Sequence, residues 1–573
     1  MEEFMDFLFP IIAVGAPLLA SGLIALLGST LGERSSSIGV SALALSTFAA
    51  LVSLYHVVQN EPVLLTFPLL LPKPLAYTVL IDRLAAVMMV LITGVSLVIH
   101  VYSQRYMQGD QGYVRFFSLL SLLTFVLLSL VTSGNLFWLF ICWHLVTWLL
   151  VLLLSFNEAS PAARAAGRTT LRVQGLGDAA LLIGILLIYA KFGTLDLTEL
   201  FRAIQSSPAP ALWAGTVLEI NSVTAITLLI LIAIMTKSAQ FPFHVWLPGT
   251  IEAPTPVSAM LHAGIVNAGG FLVNRLAPLY GVAPMSLHLM FLIGGLTALI
   301  GATTMLTQSS IKRTLVYSTM GQMGYMIMEC GLGAFALAVF HLCAHGLFKA
   351  TLFLNSGANI QKARSEFKLP VHDHVEEATR FSLVTWATGL GITLILPLII
   401  LLAAHGLVHI PLFEAQGTLI FLFFAWVTSA QAIFSLYRLN AVASWKVSLT
   451  MVAALALIGL TYLWAGESFT HFLYAEPGQA AAYFQAASWP TGLFDTFVAL
   501  AAILVVAVWM LLYGKAHGMR LLIPNWLGTI QTRAYVAFLN GLYVEDILRA
   551  CGSRSRRSKI RSQERDTAES EPW

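Results

Sequence analysis

Apolar residues run along this chain in blocks of about twenty, separated by short polar stretches, almost from end to end. At 1.5 Å per residue, one such block as a helix spans the roughly 30 Å hydrocarbon core of a bilayer. The pattern predicts about fifteen membrane-spanning helices, over 7–29, 37–58, 78–102, 116–133, 135–156, 174–192, 220–250, 256–281, 285–306, 311–329, 331–355, 381–404, 416–438, 444–464 and 494–514. The seventh is interrupted. It runs "ITLLILIAIMTKSAQ", meets Pro242 and continues "FHVWLPGTIEAP", and a proline inside a helix removes a donor and breaks the ladder. A transmembrane barrel shows ten-residue segments of alternating polarity, and no such segments occur.

Composition agrees. The 573 residues are 58% hydrophobic and 10% charged, with mean hydropathy +0.81, where a soluble domain carries about 25% charged residues. The fold class is therefore an all-α polytopic membrane protein, with membrane lipid as its surroundings and no nucleic-acid partner. "MEEFMDFLFP" places acids, not bases, ahead of the first apolar run, so that run reads as a retained helix rather than a signal peptide. The four cysteines are scattered, three of them inside apolar spans, where they read as core residues.

The net charge of +3 matters less than its placement. Fourteen Lys and Arg fall in loops after odd-numbered spans, four (Lys73, Lys191, Arg202, Arg275) after even-numbered ones, and ten in the tail beyond 514. The positive-inside rule then puts the N-terminus outside and the C-terminus in the cytoplasm. The tail, 515–573, is read as cytoplasmic and partly disordered, with one short amphipathic segment at "RAYVAFLNGLYVEDILRACG".

Only Lys237 and Lys349 lie deep inside apolar segments. A charge at the bilayer centre costs about 3 kcal/mol, so such residues face a wet or paired interior. Lys349 ends a stripe, His341–His345–Lys349, at i, i+4, i+8 on "FALAVFHLCAHGLFKATLFLNSG". His262 lies on the eighth span, Asp178 on the sixth, His144 on the fifth, and Glu329 ends the tenth. Together these residues suggest protonatable groups strung across the membrane, because environment brings lysine and histidine into exchange range near neutrality. The alternative is that each makes one interhelical hydrogen bond and the chain is a scaffold. The "HDH" at 372–374 reads as a surface loop, and there is no phosphate loop, dinucleotide fingerprint or cysteine cluster. No cofactor or metal site is expected in this chain.

"KSAQFPFHVWLPGTIEAPTPVSAMLHAGIV", "IKRTLVYSTMGQMGYM" and "FHLCAHGLFKATLFLNSG" resemble the signature helices of the antiporter-like, proton-conducting membrane subunits of respiratory complex I and Mrp sodium/proton antiporters. The resemblance is dense over roughly 75–360. It implies two inverted five-helix repeats, each with a broken helix, at about 116–281 and 282–440, flanked by N-terminal helices over 1–115 and C-terminal helices over 441–514. It also implies that Lys237 is the broken-helix lysine, His262 the eighth-helix histidine, His345 and Lys349 the relay pair, and Asp178 the sixth-helix acid.

Two departures stand out. Where the family reads "GWE" in helix 5, this chain reads Cys142-Trp143-His144, which offers Lys237 no fixed negative charge. Span 12, "ATGLGITLILPLIILLAAHG", holds no lysine or acid. The shortened pattern resembles the B-subunit (DabB) branch found in bacterial inorganic-carbon accumulation complexes. That resemblance implies a bacterial inner-membrane subunit that conducts cations, with the proton as the expected ion. It implies coupling to CO2 hydration by a large DabA-like, carbonic-anhydrase-like partner that carries the zinc, so this chain is not itself an enzyme. An Mrp-type antiporter or complex I/hydrogenase-type pumping subunit is the alternative.

Overall fold

A computed structural model describes residues 2–67, 72–206, 211–212 and 220–365, with shorter segments within 464–503 and 525–546. The expected spans over 381–404 and 416–438, most of 444–464 and 494–514, the 372–374 stretch and the basic end of the tail lie outside the described residues.

Eight helical segments among the described residues are long and apolar enough to cross a membrane. The first of these, Phe7–Gln59, is a hairpin of α1 (Glu2–Leu31) and α2 (Ser36–Gln59). Gly32 turns the chain at φ +56, and the Ser46 hydroxyl donates to the Ala13 carbonyl at 2.5 Å, fixing the antiparallel register. The others are α3 (Arg83–Tyr106), α4 (Tyr113–Val131), α5 (Leu136–Leu154), α6 (Pro161–Phe192), the broken span Thr255–Arg275, α12 (Pro284–Thr307) and α14 (Phe335–Ser365). Between them lie α7 (Leu197–Ser206), α8 (Ser222–Lys237) and α13 (Ile311–Gly331), and the broken span is divided into α9 (Thr255–Ala263), α10 (Ala268–Arg275) and the one-turn α11 (Ala277–Tyr280) that follows it.

The structure corrects several boundaries. The third span, expected from residue 78, is preceded by a strand, Tyr77–Ile81, paired antiparallel with Val63–Phe67, so that span starts at Arg83 behind the cap made by Asp82. Helix α6 begins at Pro161, capped by Ser160, thirteen residues before the expected start. Arg164, Arg168 and Arg172 therefore ride on its first turns rather than in a loop. Arg275, expected in a loop, is buried: it pairs with Asp82 at 2.5 and 3.1 Å and donates to the Val131 carbonyl at 3.0 Å. A lone guanidinium there is costly, and the ion pair and carbonyl engage its two terminal nitrogens. The amphipathic α7 was not anticipated.

Small residues let helices approach where the site needs it. A Cβ on Gly177 of α6 would stand 1.8 Å from the Thr236 hydroxyl of α8, and one on Gly184 3.3 Å from Ile230. The α12–α13 pair is closer still: Gly294, Gly301, Gly324 and Gly331 each bring backbone against backbone.

Candidate proton-relay site

The expected break falls at the end of α8. Lys237 is its last residue, and a 3-10 segment, Phe243–Glu252, follows. A helix end leaves its last carbonyls unpaired. Here the Trp246 indole donates to the Thr236 carbonyl at 2.8 Å, and the Gln240 backbone N–H donates to the Met235 carbonyl at 2.8 Å. Between them Ala239 sits at φ +49, a left-handed conformation that costs an alanine about 1–2 kcal/mol. The Ser238 hydroxyl donates to the Val266 carbonyl at 2.6 Å, inside the 3-10 turn Ile265–Asn267 that interrupts the next span. The two breaks are thus tied together, and the second was not expected from the sequence.

Lys237 Nζ donates to Thr147 Oγ1 at 2.6 Å, to the Trp143 carbonyl at 3.1 Å and to Gln174 Oε1 at 3.2 Å. It lies 3.8 Å from Asp178 Oδ1 and 4.8 Å from the Trp143 ring centroid. Both side chains of this ion pair are buried. The other carboxylate oxygen, Asp178 Oδ2, accepts from Thr147 Oγ1 at 3.1 Å and from His144 Nδ1 at 2.8 Å. Asp178 on α6 thus supplies the negative charge that Cys142-Trp143-His144 on α5 does not. The close approach at Gly177, one residue before Asp178, makes this possible.

A second group forms between α13 and α14. Lys349 Nζ donates to Ser318 Oγ at 2.8 Å. His341 Nδ1 lies 3.1 Å from both oxygens of Glu329, and its Nε2 lies 2.9 Å from Gln322 Oε1. The His341 and His345 ring centroids are 6.4 Å apart, and Lys349 follows His345 one turn further along α14. His262 stacks on Phe353 of α14 at 4.3 Å. Gly346 allows this contact, since a Cβ there would come within 2.8 Å of the Ala263 carbonyl.

The predicted residues therefore gather into two clusters. His144, Asp178 and Lys237 form the first; His262, Glu329, His341, His345 and Lys349 form the second. Among the described residues no hydrogen bond joins them, and His262 groups with Lys349 rather than with Lys237. Sequence reading missed Thr147, Gln174 and Trp148, although Gln174 precedes Asp178 by four residues and Trp148 follows His144 by four. Gln322 and Ser318 gave no comparable signal.

The histidines divide by their partners. His100 is buried in α3 with Nδ1 2.8 Å from the Ser96 carbonyl and Nε2 3.1 Å from Ser121 Oγ, a satisfied core residue. His262 and His345 are also buried, yet neither ring nitrogen of either has a hydrogen-bond partner among the described residues. An unpaired buried polar group costs about 1–3 kcal/mol.

The family model described as "NADH:quinone oxidoreductase/Mrp antiporter, TM" matches residues 133–404, and "NADH-Ubiquinone oxidoreductase (complex I), chain 5 N-terminus" matches 74–117. The chain belongs to this family of antiporter-like, multi-pass membrane subunits. It is 39% identical, over 93% of its length and 94% of the relative's, to a Halothiobacillus neapolitanus protein described as "probable inorganic carbon transporter subunit DabB1". A chloroplastic NAD(P)H-quinone oxidoreductase subunit 5 from Ceratophyllum demersum is 43% identical over 50% of this chain and 38% of its own. The fold is shared with a chain of the Mrp complex from a Dietzia species (TM-score 0.57, 23% identity, 94% of this chain and 60% of that one). It is also shared with a chain of the archaeal membrane-bound sulfane sulfur reductase (TM-score 0.55, 18% identity, 94% of this chain and 99% of that one).

Proposed function

We propose that this chain is the proton-conducting subunit of an energy-coupled inorganic-carbon (CO2/bicarbonate) accumulation complex in a bacterial inner membrane, with its N-terminus outside and its C-terminus in the cytoplasm. Protons moving down their gradient pass through the two clusters, and their free energy drives one-way hydration of CO2 by a large, zinc-bearing, DabA-like partner. Catalysis belongs to that partner, and this chain supplies the coupling.

One observation carries the reading: a lysine–carboxylate pair, Lys237–Asp178, buried at a helix break, with a second buried lysine beside histidines that have no hydrogen-bond partner among the described residues. Neutralising Asp178 removes the charge that holds Lys237 as an ammonium, so proton arrival at one is release at the other. The relative described as an inorganic carbon transporter subunit, matched over almost its whole length, supports carbon as the cargo.

The test is growth. The chain is expressed with its neighbouring large subunit in a carbonic-anhydrase-deficient bacterium and compared with Lys237→Ala in ambient air. Rescue by the wild type alone is expected, and equal rescue by both sinks the reading. The fold shared with the Mrp complex favours, as a second reading, an antiporter subunit. Co-purification separates them: a large zinc-containing partner for the first, several antiporter subunits for the second.

A further inference from the structure

The first cluster has one arm that reaches the surface. Lys237, Thr147 and Asp178 are buried, but the His144 side chain is 42% exposed on the face of α5. On that face stand Leu145, Trp148 and Leu152, all exposed. His144 donates from Nδ1 to Asp178 at 2.8 Å, and Trp148, one turn further along, donates its indole N–H to His144 Nε2 at 2.9 Å. An indole nitrogen only donates, so Nε2 presents its lone pair, and the ring is the neutral tautomer with its proton on Nδ1. Both nitrogens are engaged, and the outward one is stoppered.

We infer that Trp148 gates proton access to the Asp178–Lys237 pair by occupying the outward-facing nitrogen of His144. The inference rests on the chain conducting protons. While the indole holds Nε2, a proton at the α5 face finds no acceptor. When Trp148 swings off, an acidic group of a neighbouring subunit docked on that face protonates Nε2, and the imidazolium passes its Nδ1 proton to Asp178 Oδ2. The ring is again neutral, now carrying its proton on Nε2, and Asp178 is a neutral acid. Lys237 has lost its countercharge and releases one proton inward, which restores the balance. Until His144 returns to its first tautomer, Nε2–H and the Trp148 N–H are donor against donor, so the stopper cannot re-form, and the protonated Nε2 accepts no second proton.

Trp148 acts through His144 and is a positioning residue. Trp148→Phe keeps an aromatic ring on the same face and removes the N–H donor together with the five-membered ring that carries it. With the complete complex in proteoliposomes under an imposed pH gradient, Trp148→Phe is expected to raise proton flux about tenfold, the equilibrium worth of one hydrogen bond. The rise should vanish in the Trp148→Phe/His144→Phe double variant, whereas loosened packing would leak in both. Nitrogen-15 spectra of histidine-labelled complex, assigned by difference from His144→Phe, should show Nε2 unprotonated and accepting. Unchanged flux in Trp148→Phe, equal flux in the double variant, or a protonated Nε2 overturns the gate. Flux lost in Lys237→Ala with none gained in Trp148→Phe overturns the gate alone, and flux that neither variant changes overturns the conduction reading with it.

Discussion

Asp178 decides more than any other single residue. It is the one carboxylate within 4 Å of Lys237 among the described residues, and it also holds His144. Breaking a buried ion pair by removing one partner costs about 3–5 kcal/mol. Asp178→Asn should therefore lower unfolding stability in detergent by about that amount and abolish proton flux, while a stability change within error would show that the pair is not formed. In the second cluster, Glu329→Gln keeps a hydrogen-bonding side chain against His341 and removes the charge. Flux should fall about ten- to a hundredfold, the scale of a charge-assisted bond at about 1.5–3 kcal/mol, with a smaller change in melting than Asp178→Asn gives. The lysines, the histidine stripe and Asp178 were legible in the sequence because charge inside an apolar run is conspicuous. Who partners whom was not: that Asp178 reaches Lys237 depends on how closely two helices approach, and no spacing along one helix reports that.

At the scale of elements, the break after Lys237 was visible from Pro242, but its partner break at Gly264–Asn267 was not, because "LHAGIVNAGGF" reads as one continuous apolar helix. The Ser238–Val266 bond that joins them is a tertiary contact. Most of the strand Tyr77–Ile81 was read as helix since a short, largely apolar run fits either, and only its partner strand decides. The α6–α8 contact yields a sharp prediction. Gly177→Val places a branched side chain where a Cβ alone would stand 1.8 Å from the Thr236 hydroxyl. It should cost about 1–3 kcal/mol through overpacking and push Asp178 away from Lys237, so flux falls. Thr236→Ala in the same chain should recover part of both, and no recovery would mean that the glycine matters for some other reason.

For the whole molecule, apolar periodicity established a polytopic helical bundle, and the antiporter-like architecture followed from its motifs. The exposed leucines, isoleucines and tyrosines along α1, α5, α6 and α12 are what a lipid- or subunit-facing surface requires. The Asp82–Arg275 pair ties the start of α3 to the end of α10, across 193 positions of sequence. Arg275→Met should leave the Asp82 carboxylate without its ion-pair partner and lower the detergent melting point by several degrees, whereas Lys349→Met should lose flux with a smaller change in melting, which separates folding from conduction. The central claim is that Lys237 couples proton entry to carbon accumulation. Uptake of labelled inorganic carbon by cells making the complete complex, with and without a protonophore, tests it most directly. The account predicts accumulation in the wild type that the protonophore collapses and that Lys237→Ala lacks from the start; accumulation in Lys237→Ala at the wild-type rate, still sensitive to the protonophore, would contradict it.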